Sequence, residues 1–336
     1  MATIKDVARA AGLSTATVSR VLNDHPSVTA ATRAAVQDAI QRLDYHPNSA
    51  ARTLRSADVS TLGLVVGDVV NPFFSELARA VENEARAHGY YVVIGNADED
   101  PDRQDEYLSI LLDRRVAGLL LCPTAEVSPL VADVVRGGRP VVFVDREIDG
   151  LDVPVVRSDS RLPVTALVDH LVRLGHRDPA IISGPTGLST GRERLAAFRD
   201  ALATHGIGLP ESRVRVGDFQ MDSGVAAMRS LLDQPEPPTA VFAADNLMAL
   251  GALRCVHERG LRLGTDIALA SFDDLPWFEY VEPPITAIRQ QTERIGRTAV
   301  RELVALLDGR PARSHALPCT LVTRASCGEP VPGGEG

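Results

Sequence analysis

Two groups of side chains in this sequence have the types and spacing to do chemistry. One is the run Thr15-Ala16-Thr17-Val18-Ser19-Arg20. Short hydroxyl and methyl groups let a helix come close to the floor of a major groove, and an arginine fork matches the O6/N7 edge of guanine. The other group stands just past a series of short apolar runs: Asp68 and Asn71, Asn96 and Asp98, Thr124, Asp145 and Arg146, then Gly184-Pro185, Asp218-Phe219, Asp245-Asn246 and Asp273-Asp274. Carboxylates, amides and guanidiniums brought together in this way hold a small polar molecule by hydrogen bonds.

Reacting-centre chemistry has little to stand on. The stretch Gly184 to Gly191 is glycine-rich, but Arg192-Glu193 follow it where a phosphate loop needs Lys-Ser/Thr. Ser183-Gly184 is not a nucleophile elbow, and His170 and His176 lack metal-ligand spacing. Cys122, Cys255, Cys319 and Cys327 form no CxxC pair and read as buried or incidental thiols. The expectation is no enzyme, no metal and no cofactor.

The elements that position the first group are short helices. Thr3-Ile4-Lys5-Asp6 has the form of a capping box, which predicts a helix running through Val7, Ala8 and Ala11 to a stop at Gly12. Ser14 caps a second helix, Thr15 to Leu22, and a third begins near Thr29 with Val36, Ile40 and Leu43 on one face. Two helices around a Gly-Leu-Ser turn, closed by a third, describe a helix-turn-helix. On these residues alone the segment is equally a three-helix bundle with a solvated arginine. Asn48 or Ser49 next caps a helix of about two turns carrying Ala50, Ala51 and Leu54, which needs a partner to be stable. It reads as paired with its twin in a dimer, or as a plain linker ending in the polar stretch from Ser56 to Thr61.

The second group is positioned by a different architecture. From Leu62 onward, runs such as Leu62 to Val66, Tyr91 to Ile94, Gly118 to Leu121 and Pro140 to Val144 alternate with helical patterns. They lack polar alternation, so they read as parallel strands buried on both faces. A second series runs through Pro179 to Ser183, Val214 to Gly217, Ala240 to Ala243 and Ile267 to Ser271. The predicted fold is therefore a small all-α head followed by an α/β part with two doubly wound parallel sheets. Such sheets bind ligands beyond the carboxyl ends of their strands.

Composition agrees with this division. At 336 residues the chain is too long for one compact domain, and 45% apolar with 24% charged residues excludes a disordered or fibrous chain. No apolar run reaches membrane-spanning length, and Met1 to Leu13 holds no signal-like stretch, so the expectation is a cytoplasmic protein. The net charge of −9 argues against nucleic acid binding until it is divided. Residues 1–60 hold seven Lys/Arg against five Asp/Glu, leaving the other 276 residues to carry −11.

The run from Ala2 to Asn23, ATIKDVARAAGLSTATVSRVLN, resembles the amino terminus of the lac repressor and purine repressor family of bacterial transcription regulators, and the resemblance continues to about Arg324. It implies a homodimeric repressor on a pseudo-palindromic operator. Thr15, Ala16 and Arg20 would face base edges, with Thr3, Ser14, Thr17, Ser19, Asn23, Ala51 and Arg55 completing the DNA contacts. Leu54, on a hinge helix Pro47 to Arg55, would wedge into a minor-groove base step. The large part would be a two-lobed, periplasmic-binding-protein-like domain with an effector between its lobes. Carried over residue by residue, the effector contacts are Phe73, Phe74, Asp98, Thr124, Asp145, Arg146, Arg194, Phe219, Asp245, Asp273 and Trp277. The domains implied are 1–46, a hinge and linker 47–60, and 61–328 with lobe crossings near 160, 289 and 320, before a disordered tail 329–336 with no heptad for a tetramer.

Two departures bear on the effector. The usual Asn-Asp dipeptide appears reversed as Asp245-Asn246, and the loop Pro185 to Thr190 lacks the further arginine of purine-responsive members. The aromatic stack that a base would need is missing after Asp145 as well, so a sugar is favoured over a purine. The alternative from another class is a stand-alone sugar receptor of the transport type, which would carry a signal peptide in place of the helical reader.

Overall fold

The computed structural model describes residues 2–22, 25, 28–45, 61–124 and 128–328. It separates into two compact units, Met1–Val59 and Ser60–Gly336. Asn23, Ala51, Leu54 and Arg55, the hinge segment 47–60 and the tail 329–336 lie outside the described residues.

The first unit holds three helices, α1 (Ile4–Ala11), α2 (Thr15–Leu22) and α3 (Ala30–Arg42). Thr3 Oγ1 accepts from Asp6 N at 3.4 Å while Asp6 Oδ2 accepts from Thr3 N at 3.0 Å, so the capping box closes reciprocally. Gly12 ends α1 in the left-handed region at φ 67°, where a side chain would be strained. Ser14 Oγ accepts from Thr17 N at 3.1 Å and starts α2, and Thr29 caps α3. The core is Val7, Ala8, Val18, Val21, Val36 and Ala39. Leu43, expected on the inner face of α3, is instead 36% exposed, because the helix ends at Arg42 and Ala39 fills the interior position.

The second unit contains two six-stranded sheets. The first lobe is built from β1 (Thr61–Val66), α4 (Pro72–Ala87), β2 (Tyr91–Asn96), α5 (Pro101–Asp113), β3 (Gly118–Leu121), α6 (Pro129–Arg136), β4 (Val141–Val144) and β5 (Val155–Asp159). The chain then forms α7 (Arg161–Arg173), β6 (Pro179–Ser183), α8 (Ser189–Thr204), β7 (Val214–Val216), α9 (Met221–Leu232), β8 (Ala240–Ala243), α10 (Asn246–Glu258), β9 (Ala268–Phe272) and β10 (Thr286–Arg289) of the second lobe. It returns to lay α11 (Thr292–Leu307) and β11 (His315–Pro318) on the first lobe, and ends with β12 (Thr320–Val322) in the second.

The strand orders are β11-β5-β4-β3-β1-β2 and β12-β10-β9-β8-β6-β7, so both lobes carry the doubly wound order 2-1-3-4-5. All pairings are parallel except β10 with β12. The central strands β3, β4, β6, β8 and β9 are buried along their whole length. β2 corrects the expectation of strands buried on both faces. It is an edge strand that exposes Tyr91, Val93 and Ile94, and β7 at the other sheet's edge exposes Val216. Each lobe is closed by helices on both sides, with Ile295, Ala299, Val300 and Leu303 of α11 packed on Leu62, Leu64 and Leu77 in the first.

Candidate functional site

In the first unit the α2 surface presents exposed Thr15, Ala16 and Arg20, with Ser19 half-buried beside them. Val18 and Val21 anchor the opposite face in the core. Three of the predicted contacts, Thr3, Ser14 and Thr17, are already engaged locally. Thr17 Oγ1 lies 2.9 Å from Ser14 Oγ, and Thr3 Oγ1 donates to Asp6 Oδ2 at 2.6 Å. Their hydroxyls shape the helix starts.

In the second unit the carboxyl ends of the two sheets face each other, and eight of the predicted effector residues meet there. Phe73, Phe74, Asp145, Arg146, Arg194, Phe219, Asp245 and Asp273 line one cavity of about 20 Å³, together with Asn71, Thr190 and Gln290. A second chamber of about 330 Å³ shares Phe73, Asp273 and Gln290 with it and opens between Glu76, Arg289 and Pro276.

Three of the lining residues sit at strand ends in left-handed backbone: Asp145 at φ 67° after β4, Phe219 at φ 65° after β7 and Asp273 at φ 70° after β9. Aspartate tolerates this region, but a phenylalanine there is strained and needs its surroundings to hold it. Gly184 does so. A Cβ built on it would stand 2.1 Å from the Phe219 ring, so the ring occupies the place a side chain would take.

The charges are held by specific partners. Arg146 donates through both Nη atoms to Glu99, at 2.6 and 2.7 Å, and lies 5.0 Å from the Phe219 ring centre. Arg194 stacks on Phe272 at 3.5 Å and donates to the Ala244 carbonyl at 2.7 Å. Asp245 caps α10, accepting from Leu247 N at 2.8 Å and Met248 N at 2.9 Å, and takes a third bond from Asn71 Nδ2 of the facing lobe at 3.3 Å. Asn246 Nδ2 donates to Asn71 Oδ1 at 2.9 Å, so one asparagine of the first lobe is gripped by the α10 start of the second. Asp273 accepts from Gln290 Nε2 at 2.6 Å.

Burial pushes Asp245 up to about 7, against the two backbone donors, with Asp273 adding to the rise. It pushes Asp273 up to about 6, opposed by Arg194 and Gln290, and raises Asp145 against the pull of Arg146. Among the described residues, Arg146 Nε and Thr190 Oγ1 are buried without a hydrogen-bond partner, and both residues line the small cavity. Converging acceptors, unused donors and ring faces make a site that binds rather than reacts.

Three predicted contacts fall elsewhere. Asp98 is half exposed and pairs with Arg103. Thr124 is buried and donates through N and Oγ1 to Gln104 Oε1, at 3.0 and 3.3 Å, and does not line either chamber. Trp277 is 43% exposed on a short turn, Pro276–Glu279, whose ends reach only the outer chamber. Conversely, Glu99, Thr190 and Gln290 were not picked out by the sequence. Gln290 directly follows β10, so recognising that strand would have revealed it.

No helix among the described residues is long and apolar enough to cross a membrane. Residues 3–48 match the family described as bacterial regulatory proteins, lacI family, and residues 168–327 match the periplasmic binding protein-like domain. The HTH-type transcriptional repressor PurR of Erwinia tasmaniensis is 37% identical over 331 residues, 97% of each chain. The ribose operon repressor of Escherichia coli is 36% identical, over 90% of this chain and 92% of that protein. The lac repressor dimer bound to operator and an anti-inducer superposes with a TM-score of 0.85 at 30% identity, over 98% of this chain and 99% of that one. A complex of the regulator CelR with cellobiose gives 0.73 at 34% identity, over 97% and 100%. With a helix-turn-helix head ahead of a two-lobed binding unit, and relatives matched along nearly their whole length, the chain belongs to the LacI family of bacterial regulatory proteins and is a DNA-binding transcription regulator, not an enzyme.

Proposed function

We propose that this chain is a homodimeric repressor that acts on operator DNA in the cytoplasm and answers to a sugar bound between its two lobes. The observation that carries the effector half is the meeting of Asp145, Arg194, Asp245 and Asp273 with Phe73 and Phe219 in one cavity at facing sheet edges. Carboxylates and a guanidinium grip hydroxyls, and ring faces cover the apolar face of a pyranose or furanose. The naming of relatives for a ribose operon, and the cellobiose complex of another, support a carbohydrate.

In this reading Thr15, Ala16 and Arg20 read bases. The segment from Pro47 to Arg55 is the hinge, with Leu54 as the wedge, between a reader 1–46 and a sensor 61–328. Bonds that join the lobes across the cleft couple occupancy to lobe angle: Arg157 to Glu193 at 2.7 Å, Glu147 N to Ser189 Oγ at 3.1 Å and the Asn71 cluster. A ligand that prefers one lobe angle shifts the population of the DNA-binding state by its difference in affinity for the two.

The test is a gel-shift titration of the full-length protein on a labelled pseudo-palindromic operator, repeated with a panel of sugars. A retarded complex whose midpoint moves with one sugar is expected. A protein that retards no operator, or whose midpoint no small molecule moves, overturns the reading.

A further inference from the structure

The balance of charge in the cleft goes further than naming it a sugar site. Around the inner cavity stand the carboxylates of Asp145, Asp245 and Asp273, with Glu99 immediately behind Arg146. Against these four are two guanidiniums. Arg146 spends both Nη atoms on Glu99 and sets its Nε 3.5 Å from Asp145 Oδ2, and Arg194 lies flat on Phe272 with one nitrogen on a backbone carbonyl, so carboxylates outnumber guanidiniums two to one. Lys5 is the only lysine in the chain, so arginine alone supplies cations to this cleft.

The outer chamber has the same sign. Asp274 holds both of its arginines: Arg289 Nε at 3.0 Å, and Arg324 Nη1 and Nη2 at 2.8 and 3.0 Å. Glu76 and Glu279 line the chamber and form no ion pair among the described residues. The chamber thus holds four carboxylates, Glu76, Asp273, Asp274 and Glu279, against two guanidiniums, and a molecule that enters meets an excess of negative charge.

Asp245 is the residue through which this sign is felt. One of its oxygens serves the α10 cap, and the other, Oδ2, takes only the long bond from Asn71. Above about pH 7 this carboxyl is ionised and offers acceptors alone, so what meets it must donate: a hydroxyl or an ammonium. An anionic group at that place would leave like charges together in a buried cavity, where screening is weak.

We propose that the cleft selects polyhydroxylated effectors that are uncharged or carry an ammonium group, excludes sugar phosphates and sugar acids, and uses Asp245 as the residue that sets this selectivity. The proposal rests on the reading of the cleft as the effector site. It removes a whole class of phosphorylated intermediates as signals and leaves the sugar before its phosphorylation, or an amino sugar, as what is sensed.

The experiment is calorimetry on the full-length protein with matched sets on one scaffold: glucose, glucosamine, glucose 6-phosphate and gluconate; ribose and ribose 5-phosphate; adenosine and its 5′-monophosphate. Within the set that binds, the neutral or amino member is expected to bind at least roughly a hundredfold more tightly than the anionic one. Asp245→Asn keeps a good helix cap and so keeps the fold. It is expected to narrow that gap by about tenfold and to weaken the amino sugar most. Glu76→Gln, in the outer chamber, is expected to shift the gap in the same direction by a smaller factor. A phosphorylated or acidic member that binds as tightly as its parent overturns the proposal, as does a gap that Asp245→Asn leaves unchanged. Binding confined to the adenosine pair would refute the sugar reading alone, because the order within that pair still decides the charge rule.

Discussion

Gln290 holds Asp273 in place from the second of the three connections between the lobes: its Nε2 donates to Asp273 Oδ1 at 2.6 Å while its Oε1 accepts from the hydroxyl of Ser158, on the first connection. A carboxylate of the cleft is thus tied through one side chain to two of the strands about which the lobes must turn. Replacing Gln290 with leucine leaves Asp273 buried without its donor. A bond to a charged group is worth about 1.5–3 kcal/mol. Effector affinity is therefore expected to fall roughly tenfold to a hundredfold, and the change in operator affinity at saturating effector to be blunted. Calorimetry for the first and gel shift for the second check it; wild-type values for both would show that the bond is idle.

Gly184 and Phe219 make a second pair. Gly184→Ala puts a methyl group 2.1 Å from the ring and forces Phe219 out of its strained backbone position. Overpacking of this kind costs about 1–3 kcal/mol. A lower unfolding temperature and lost effector binding are expected, with stability, but not binding, restored by adding Phe219→Ala. Thermal unfolding of the single and double variants distinguishes this from a general loss of fold.

The raised acids give a pH dependence of defined sign. A carboxyl whose folded value lies above its ordinary one destabilises the fold as pH rises from the ordinary value through the folded one. For Asp245, pushed up to about 7 by burial, and Asp273, up to about 6, the ligand-free sensor loses stability between about pH 4 and 7. The loss for Asp245 is on the order of 4 kcal/mol. Melting of the ligand-free protein from pH 5 to 8 is expected to show a falling midpoint, and Asp245→Asn to flatten it. An effector that donates to these carboxylates favours their ionised form, so its binding releases protons in this range. Calorimetry in buffers of different ionisation enthalpy measures that release.

Arg20 is exposed on α2, beside the small residues Thr15 and Ala16. Arg20→Ala is expected to cost about 1–3 kcal/mol at one base pair of each half-site and to relax specificity there. Operator variants with each base pair changed in turn reveal it, and an unchanged preference at every position would remove Arg20 as a reader of bases.

Most of the architecture was legible because the central strands announce themselves. Leu62 to Val66, Gly118 to Leu121 and Ala240 to Ala243 are unbroken apolar runs, as strands covered on both faces must be. The connecting strands β5, β10, β11 and β12 were not recognised, for the opposite reason. They border the cleft and the sheet edges, and carry Arg157, Ser158, Thr286, Arg289 and His315, which read as loop. The same blindness hid Gln290. Asp145 and Asp273 stood out because an acid directly after a buried strand has few structural duties, whereas Asp98 and Thr124 looked identical in sequence and turned out to serve Arg103 and Gln104. Backbone conformation does not separate them, since Asp98 at φ 56° shares the left-handed region with Asp145 and Asp273; the local partner does.

The three connections also dictate an order of assembly. The first lobe begins at β1 but is completed only by α11 and β11, whose Val300, Leu303 and Leu317 fill the core around Leu62 and Leu64. As the chain leaves the ribosome, nearly the whole second lobe is made before those residues exist. The first lobe therefore waits with a helix-sized apolar face uncovered, and its contacts close over more than two hundred residues of intervening chain. Long-range closure of this kind is slow and exposed to aggregation. Neither lobe is a contiguous stretch of chain, so truncation before α11 removes part of the first lobe's core as well as the end of the second.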